Sequence, residues 1–115
     1  MKLKTGIFLA VLFLPLGSHA QTGNELQAGI QGWETLQRGA IPNVSNAIAL
    51  GRLTGLVRAT SVYSPRLNTA CPPAAYTAKE GTAVTVKWLK DNPEKWGEDD
   101  VQLVSHAFKD TWPCR

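Results

Sequence analysis

The chain has 115 residues, twelve Lys and Arg against nine Asp and Glu, and two cysteines. That is room for one small domain with a modest core. The arginines (Arg38, Arg52, Arg58, Arg66, Arg115) are scattered and no basic run occurs, so the composition excludes an obvious nucleic-acid binder.

Lys2 and Lys4 make a short positive start, followed by the apolar run Ile7 to Leu16, broken only by Pro15. Gly17-Ser18-His19-Ala20 then supplies small residues three before and one before a cut after Ala20. This layout predicts a secretory signal peptide over residues 1–20. The apolar run is about half of the ~20 residues a bilayer span needs, and no second one follows, so no membrane span is expected after cleavage. The folded domain is then 21–115, with ten basic and nine acidic side chains. In an exported domain Cys71 and Cys114 are expected to form one disulfide. Closing that loop constrains the unfolded chain by ~4 kcal/mol in chain-entropy terms.

Leu26, Ile30, Trp33 and Leu36 (or Gln37) recur at helical spacing and predict a first helix over Asn24 to Gly39. Gly29 and Gly32 weaken it by about 1 kcal/mol each relative to Ala, and let another element come close. Gly39-Ala40-Ile41-Pro42 breaks it. A second helix is predicted over Asn43 to Thr60, with Leu50, Leu53, Leu56 and Val57 as apolar bulk. Ala47, Gly51 and Gly55 share one face of it, suited to a close helix contact within the monomer or to a dimer seam; the first is the expectation. Ser61 to Tyr76 reads as a loop because of Pro65, Pro72 and Pro73. Thr77-Ala78-Lys79-Glu80 is a capping box and opens a third helix running to about Asp91, with Val84, Trp88 and Leu89 as its buried line. Asn92-Pro93 stops it. Glu98, Asp99 and Asp100 suit the positive end of a fourth helix, expected as a solvated N-terminus. Val101, Val104, Phe108 and Thr111 or Trp112 continue that helix until Pro113. The sum is an all-α fold, a small bundle of about four helices.

Catalytic chemistry has little to work with. His106 is the one histidine after residue 20, and its neighbour Ser105 does not share its helix face. Oxidised cysteines supply no thiolate, and phosphate-loop, CxxCH, HExxH and EF-hand patterns are absent. No cofactor or metal is expected; the chain reads as a protein that acts by binding.

Gly51-Arg-Leu-Thr-Gly55, Cys71-Pro72-Pro73, a capped helix ending in Trp88-Leu89-Lys90-Asp91-Asn92-Pro93-Glu94, and Trp112-Pro113-Cys114 form an ordered series. It resembles the Rap/Tai group of periplasmic immunity proteins of the type VI secretion system over about Gly51 to Cys114. Many members of that group carry a further cysteine pair, which this chain lacks, and often Arg-His where it has Lys95-Trp96-Gly97. The resemblance implies a small helical periplasmic protein, in many members a homodimer. It would block the active-site groove of a cognate peptidoglycan amidase effector. A rigid loop would make that contact. Val62 to Thr69 is the first choice, with Tyr63, Ser64, Pro65, Arg66 and Asn68; Tyr and Arg are frequent anchors. Glu94 to Asp100 is the second, with Trp96. A periplasmic holdase-like chaperone or a structural envelope protein is the alternative reading.

Overall fold

In the computed structural model, which describes residues 21–115, apolar side chains at helical spacing close into four helices. These are α1 (Gly23–Gln37), α2 (Val44–Arg66), α3 (Ala78–Asp91) and α4 (Asp100–Thr111), with a 3-10 turn at Pro93–Lys95 leading into α4. The expected all-α bundle is thus what forms. The signal peptide expected over residues 1–20 lies outside the described residues. α2 is the central helix, packing on α1, α3 and α4. The core between them is Leu26 and Ile30 from α1, Leu50, Leu53 and Val57 from α2, Val86 and Leu89 from α3, and Leu103, Val104, Ala107 and Phe108 from α4.

The helix ends follow local chemistry. At α3 the predicted capping box forms in both directions: the Glu80 amide donates to Thr77 Oγ1 at 3.2 Å and the Thr77 amide to Glu80 Oε2 at 3.1 Å. At α1 the Thr22 amide donates likewise to the Glu25 carboxylate. α1 stops in a Schellman turn, with Gly39 at φ 76°, its amide on Leu36 O at 2.9 Å and the Ala40 amide on Thr35 O at 3.1 Å. The segment before α1 is clamped to the start of α4 by Gly23 N to Glu98 O (3.1 Å) and Asp100 N to Gln21 O (2.9 Å).

Cys71 and Cys114 form the expected disulfide, with their Cα atoms 5.0 Å apart. The Cys71 amide also donates to Trp112 O at 2.8 Å. Trp112 lies edge-on to Tyr76 (5.5 Å) and Phe108 (5.2 Å). The C-terminus is therefore held both covalently and by aromatic packing.

Four expectations are corrected. First, Ser61 to Arg66 is helix, not loop. Thr60 and Ser64 continue the core-facing spacing of Leu53 and Val57 and are 1% exposed. Pro65 falls in the last turn, where its missing N–H costs a single bond at the end of the ladder. Second, the face of Ala47, Gly51 and Gly55 makes no close helix contact in the monomer: all three are exposed, and a Cβ added at Gly51 or Gly55 would meet nothing within 4 Å. Third, Leu36 (48% exposed) and Val101 (42%) stand outside the core, and Val84 is only half-buried. Thr82, Thr85, Val86 and Leu89 form the inner line of α3 with Trp88. Fourth, Asp100 is not solvated but 2% exposed, because Arg52 of α2 reaches it.

Candidate functional site

The first candidate segment divides into an inner and an outer part. Tyr63 is half-buried and its hydroxyl sits 2.7 Å from Ser105 Oγ on α4. Ser64 is buried. Both take part in the scaffold, because the helix carrying them runs on past Thr60. Pro65, Arg66, Leu67, Asn68 and Thr69 are all exposed, with Leu67 65% open. They form a tip that turns sharply. Asn68 adopts φ 54°; its amide donates to Pro65 O at 3.2 Å and the Thr69 amide to Ser64 O at 3.0 Å. This is a Schellman turn with Asn in the left-handed position. Buried Ala70 and then the Cys71 disulfide fix its base. The result is a convex tip with one cation, one large apolar side chain and a pre-set backbone.

The second candidate, Trp96, is also part of the scaffold. Its indole N–H donates to Leu89 O at 2.7 Å and its ring packs against the core. A Cβ on Gly23 would reach the Trp96 backbone at 2.9 Å, so the α1 start is fitted against this turn. Only part of the ring remains for an outside contact.

The polar groups at and along α4 have structural partners. Asp99 caps α4, accepting from the amides of Val101 (3.0 Å) and Gln102 (3.2 Å). Asp100 Oδ2 receives Arg52 Nη2 at 2.6 Å and Nε at 3.1 Å, joining α2 to α4. Ser105 bonds to Tyr63 and to Val101 O, while His106 stacks on Trp88 at 6.2 Å. Ser105 and His106 are therefore directed to different partners, and no nucleophile–base pair forms between them. Among the described residues no cluster of three metal-ligating side chains occurs.

One concave feature was not anticipated from the sequence. α1 and α3 flank an open groove of about 360 Å³, lined by Trp33, Ala83, Val86 and Lys87 among others. Lys90 bridges it to Glu34 at 2.5 Å. The half-buried Trp33, placed by the sequence only on the helical spacing of α1, was its sequence signal. The groove is a receiving shape, whereas the α2 tip is an entering one.

The sequence matches the family of Rap1a immunity proteins over residues 22–114, almost all of the described domain. The chain belongs to the Rap1a immunity protein family. Comparison with curated proteins and with solved structures returned no match. The family match spans all four helices and both cysteines. Membership implies an immunity protein, one that binds a cognate effector.

Proposed function

We propose that this chain is an exported, periplasmic immunity protein that binds a peptidoglycan amidase effector of a type VI secretion system and occludes its active-site groove. The observation that carries this reading is the family match over residues 22–114. The geometry supports a contact through the α2 tip. A groove enzyme is blocked by something convex and pre-organised, since each side chain left to order on binding costs about 0.5–1.5 kcal/mol. Pro65 to Thr69 is exposed throughout, closed by two backbone hydrogen bonds and anchored by the disulfide. Arg66 and Leu67 are the side chains that would enter, with Asn68 setting their direction.

The test is a rescue assay. The product of the neighbouring gene is exported into the periplasm of a test bacterium, with and without this chain, and lysis is followed by optical density. The expected result is lysis without the chain and protection with it. The double variant Arg66→Glu/Leu67→Asp should fail to protect while melting as the wild type does. A toxic neighbour that this chain does not restrain rejects the pairing. Full protection by the double variant rejects the tip as the contact.

A further inference from the structure

The exposed apolar side chains of this chain share one stretch of sequence with a set of unopposed cations. Of the seven large apolar side chains that stand open among the described residues, six lie there: Leu36, Ile41, Val44, Ile48, Val62 and Leu67. From Thr35 to Lys79 there is no Asp or Glu, while Arg38, Arg52, Arg58 and Arg66 all fall inside. The acidic side chains sit elsewhere, on α1, α3, α4 and the turn before α4. The apolar group is densest at the corner between α1 and α2. Ile41 is 92% exposed, Val44 76% and Ile48 70%, and Val44 and Ile48 stand one turn apart on the same line of α2. The corner is built, not slack. Gly39 closes the end of α1, Asn43 Oδ1 accepts from the Asn46 amide at 2.8 Å to cap α2, and Gly32 seats α1 against the backbone at Asn46. Exposed apolar patches of this kind mark interaction surfaces.

Charge and shape together say what the corner meets. Arg38, three residues before Ile41, and Arg58, further along the side of α2 that carries Val44 and Ile48, have no ion-pair partner among the described residues. Glu34, the carboxylate nearest Arg38 in sequence, is taken up by Lys90. Aliphatic side chains beside free cations, with no carboxylate among them, complement a surface that is negative outside and apolar beneath. A protein partner is the poorer match. Protein contacts concentrate their energy in aromatic and arginine anchors seated in pockets near the centre of a patch, whereas these side chains are aliphatic and project from a convex turn. A fluid bilayer needs no matching pocket for a protruding isoleucine. We infer that the α1–α2 corner docks on the surface of an anionic phospholipid bilayer. Ile41, Val44 and Ile48 enter the headgroup boundary, Arg38 lies at the phosphates, and Arg58 adds attraction from above. The contact is peripheral, since no helix among the described residues is long and apolar enough to cross a membrane. The corner and the Pro65 to Thr69 tip stand at opposite ends of α2, whose 23 residues span about 34 Å. A chain docked by the corner therefore carries its tip away from the lipid, toward a partner. That last consequence rests on the proposed function; the docking does not.

Flotation of the mature chain with lipid vesicles at about 0.1 M salt tests this. The wild type should float with vesicles of phosphatidylglycerol mixed into phosphatidylcholine, stay behind with phosphatidylcholine alone, and come off the mixed vesicles as salt is raised. Ile41→Asp and Ile48→Asp should each weaken binding by about tenfold, because each takes an apolar side chain out of the contact. Arg38→Gln should weaken it by about fivefold. Val101→Asp makes the same charge change at an exposed apolar site on α4 and should bind within about twofold of the wild type, since it lies beyond the screening length from the corner. All four replaced side chains are exposed, so each variant should melt as the wild type does. A wild type that floats with neither vesicle overturns the inference, and so does equal binding to both. Equal losses in Ile41→Asp and Val101→Asp leave only net charge and overturn the docked corner. If lipid binding is absent and Ile41→Asp loses protection in the rescue assay, the corner belongs to the effector; if it is absent and Ile48→Asp converts a dimer to a monomer, the corner belongs to a second copy. Either result overturns the inference.

Discussion

Gly29 and Gly32 in α1, and Gly51 and Gly55 in α2, each form a pair about a helical turn apart, and the fold uses the two pairs in opposite ways. A Cβ on Gly32 would lie 2.6 Å from Asn46 O and one on Gly29 would lie 2.9 Å from Ala49 O, so the α1 pair is pressed against the α2 backbone. Gly51 and Gly55 look outward into open space. Each glycine costs its helix about 1 kcal/mol relative to Ala. In α1 that cost is offset, because close approach brings Leu26 and Ile30 fully onto Leu50 and Leu53. In α2 the monomer offers no offset. A small-residue pattern therefore states that a backbone can be approached; only the partner surface says whether it is.

The comparison can be broken by substitution. The scale is set by the Cys71→Ser/Cys114→Ser double variant, expected to lose ~4 kcal/mol in urea unfolding from the longer freedom of its unfolded chain. Gly32→Ala should come next, at about 3 kcal/mol, because the added methyl meets a backbone carbonyl that cannot rotate away. A loss under about 0.5 kcal/mol there would mean that α1 and α2 can part without penalty, and the contrast would collapse. Gly51→Ala should act in the other direction. At concentrations low enough to exclude self-association it should gain about 1 kcal/mol, since its methyl meets nothing. A loss instead would place some contact over α2 in the monomer.

Much of the fold was legible in the residues. The Thr77–Glu80 box, the Asn92-Pro93 stop and the lone cysteine pair each act through local chemistry, and each stands where it was read. What misled was whatever depended on the partner surface. Pro65 is a breaker by propensity, yet Thr60 and Ser64 pack inward and Tyr63 bonds to Ser105 from α4, so tertiary contacts carry the helix through it. The helical spacing of Val57, Thr60 and Ser64 was there to be read, but hydroxyl residues do not announce a core. Asp100 looked like a solvated helix start because Arg52, forty-eight positions earlier, is invisible to a local reading. The candidate site followed the same rule. Arg66 and Asn68 stayed outside because the turn that exposes them is local. Tyr63, Ser64 and Trp96 were drawn into the scaffold by residues distant in sequence.

Gly81 supplies a third kind of close approach, against a side chain, and with it the smallest expected effect. A Cβ there would run into the Tyr76 ring and hydroxyl. Tyr76 stands edge-on to Phe108 and Trp112, its hydroxyl shut off from water with no partner at hydrogen-bonding geometry. Burial pushes its phenol above the ordinary tyrosine value of 10.0; the neighbouring Ser61 hydroxyl pulls the other way, and the Glu80 carboxylate adds to the rise. The folded state thus favours the neutral phenol more than the unfolded chain does. The linked stability is fully present below pH 10 and is lost as pH rises from there through the raised folded value. Tyr76→Phe keeps the ring and removes a hydroxyl that has no bond to lose, so at pH 7 its melting temperature should match the wild type. Above pH 10 the wild type should fall away from the variant. Parallel curves through pH 11 would mean that the hydroxyl reaches water and that the packing of Gly81 beneath it is loose.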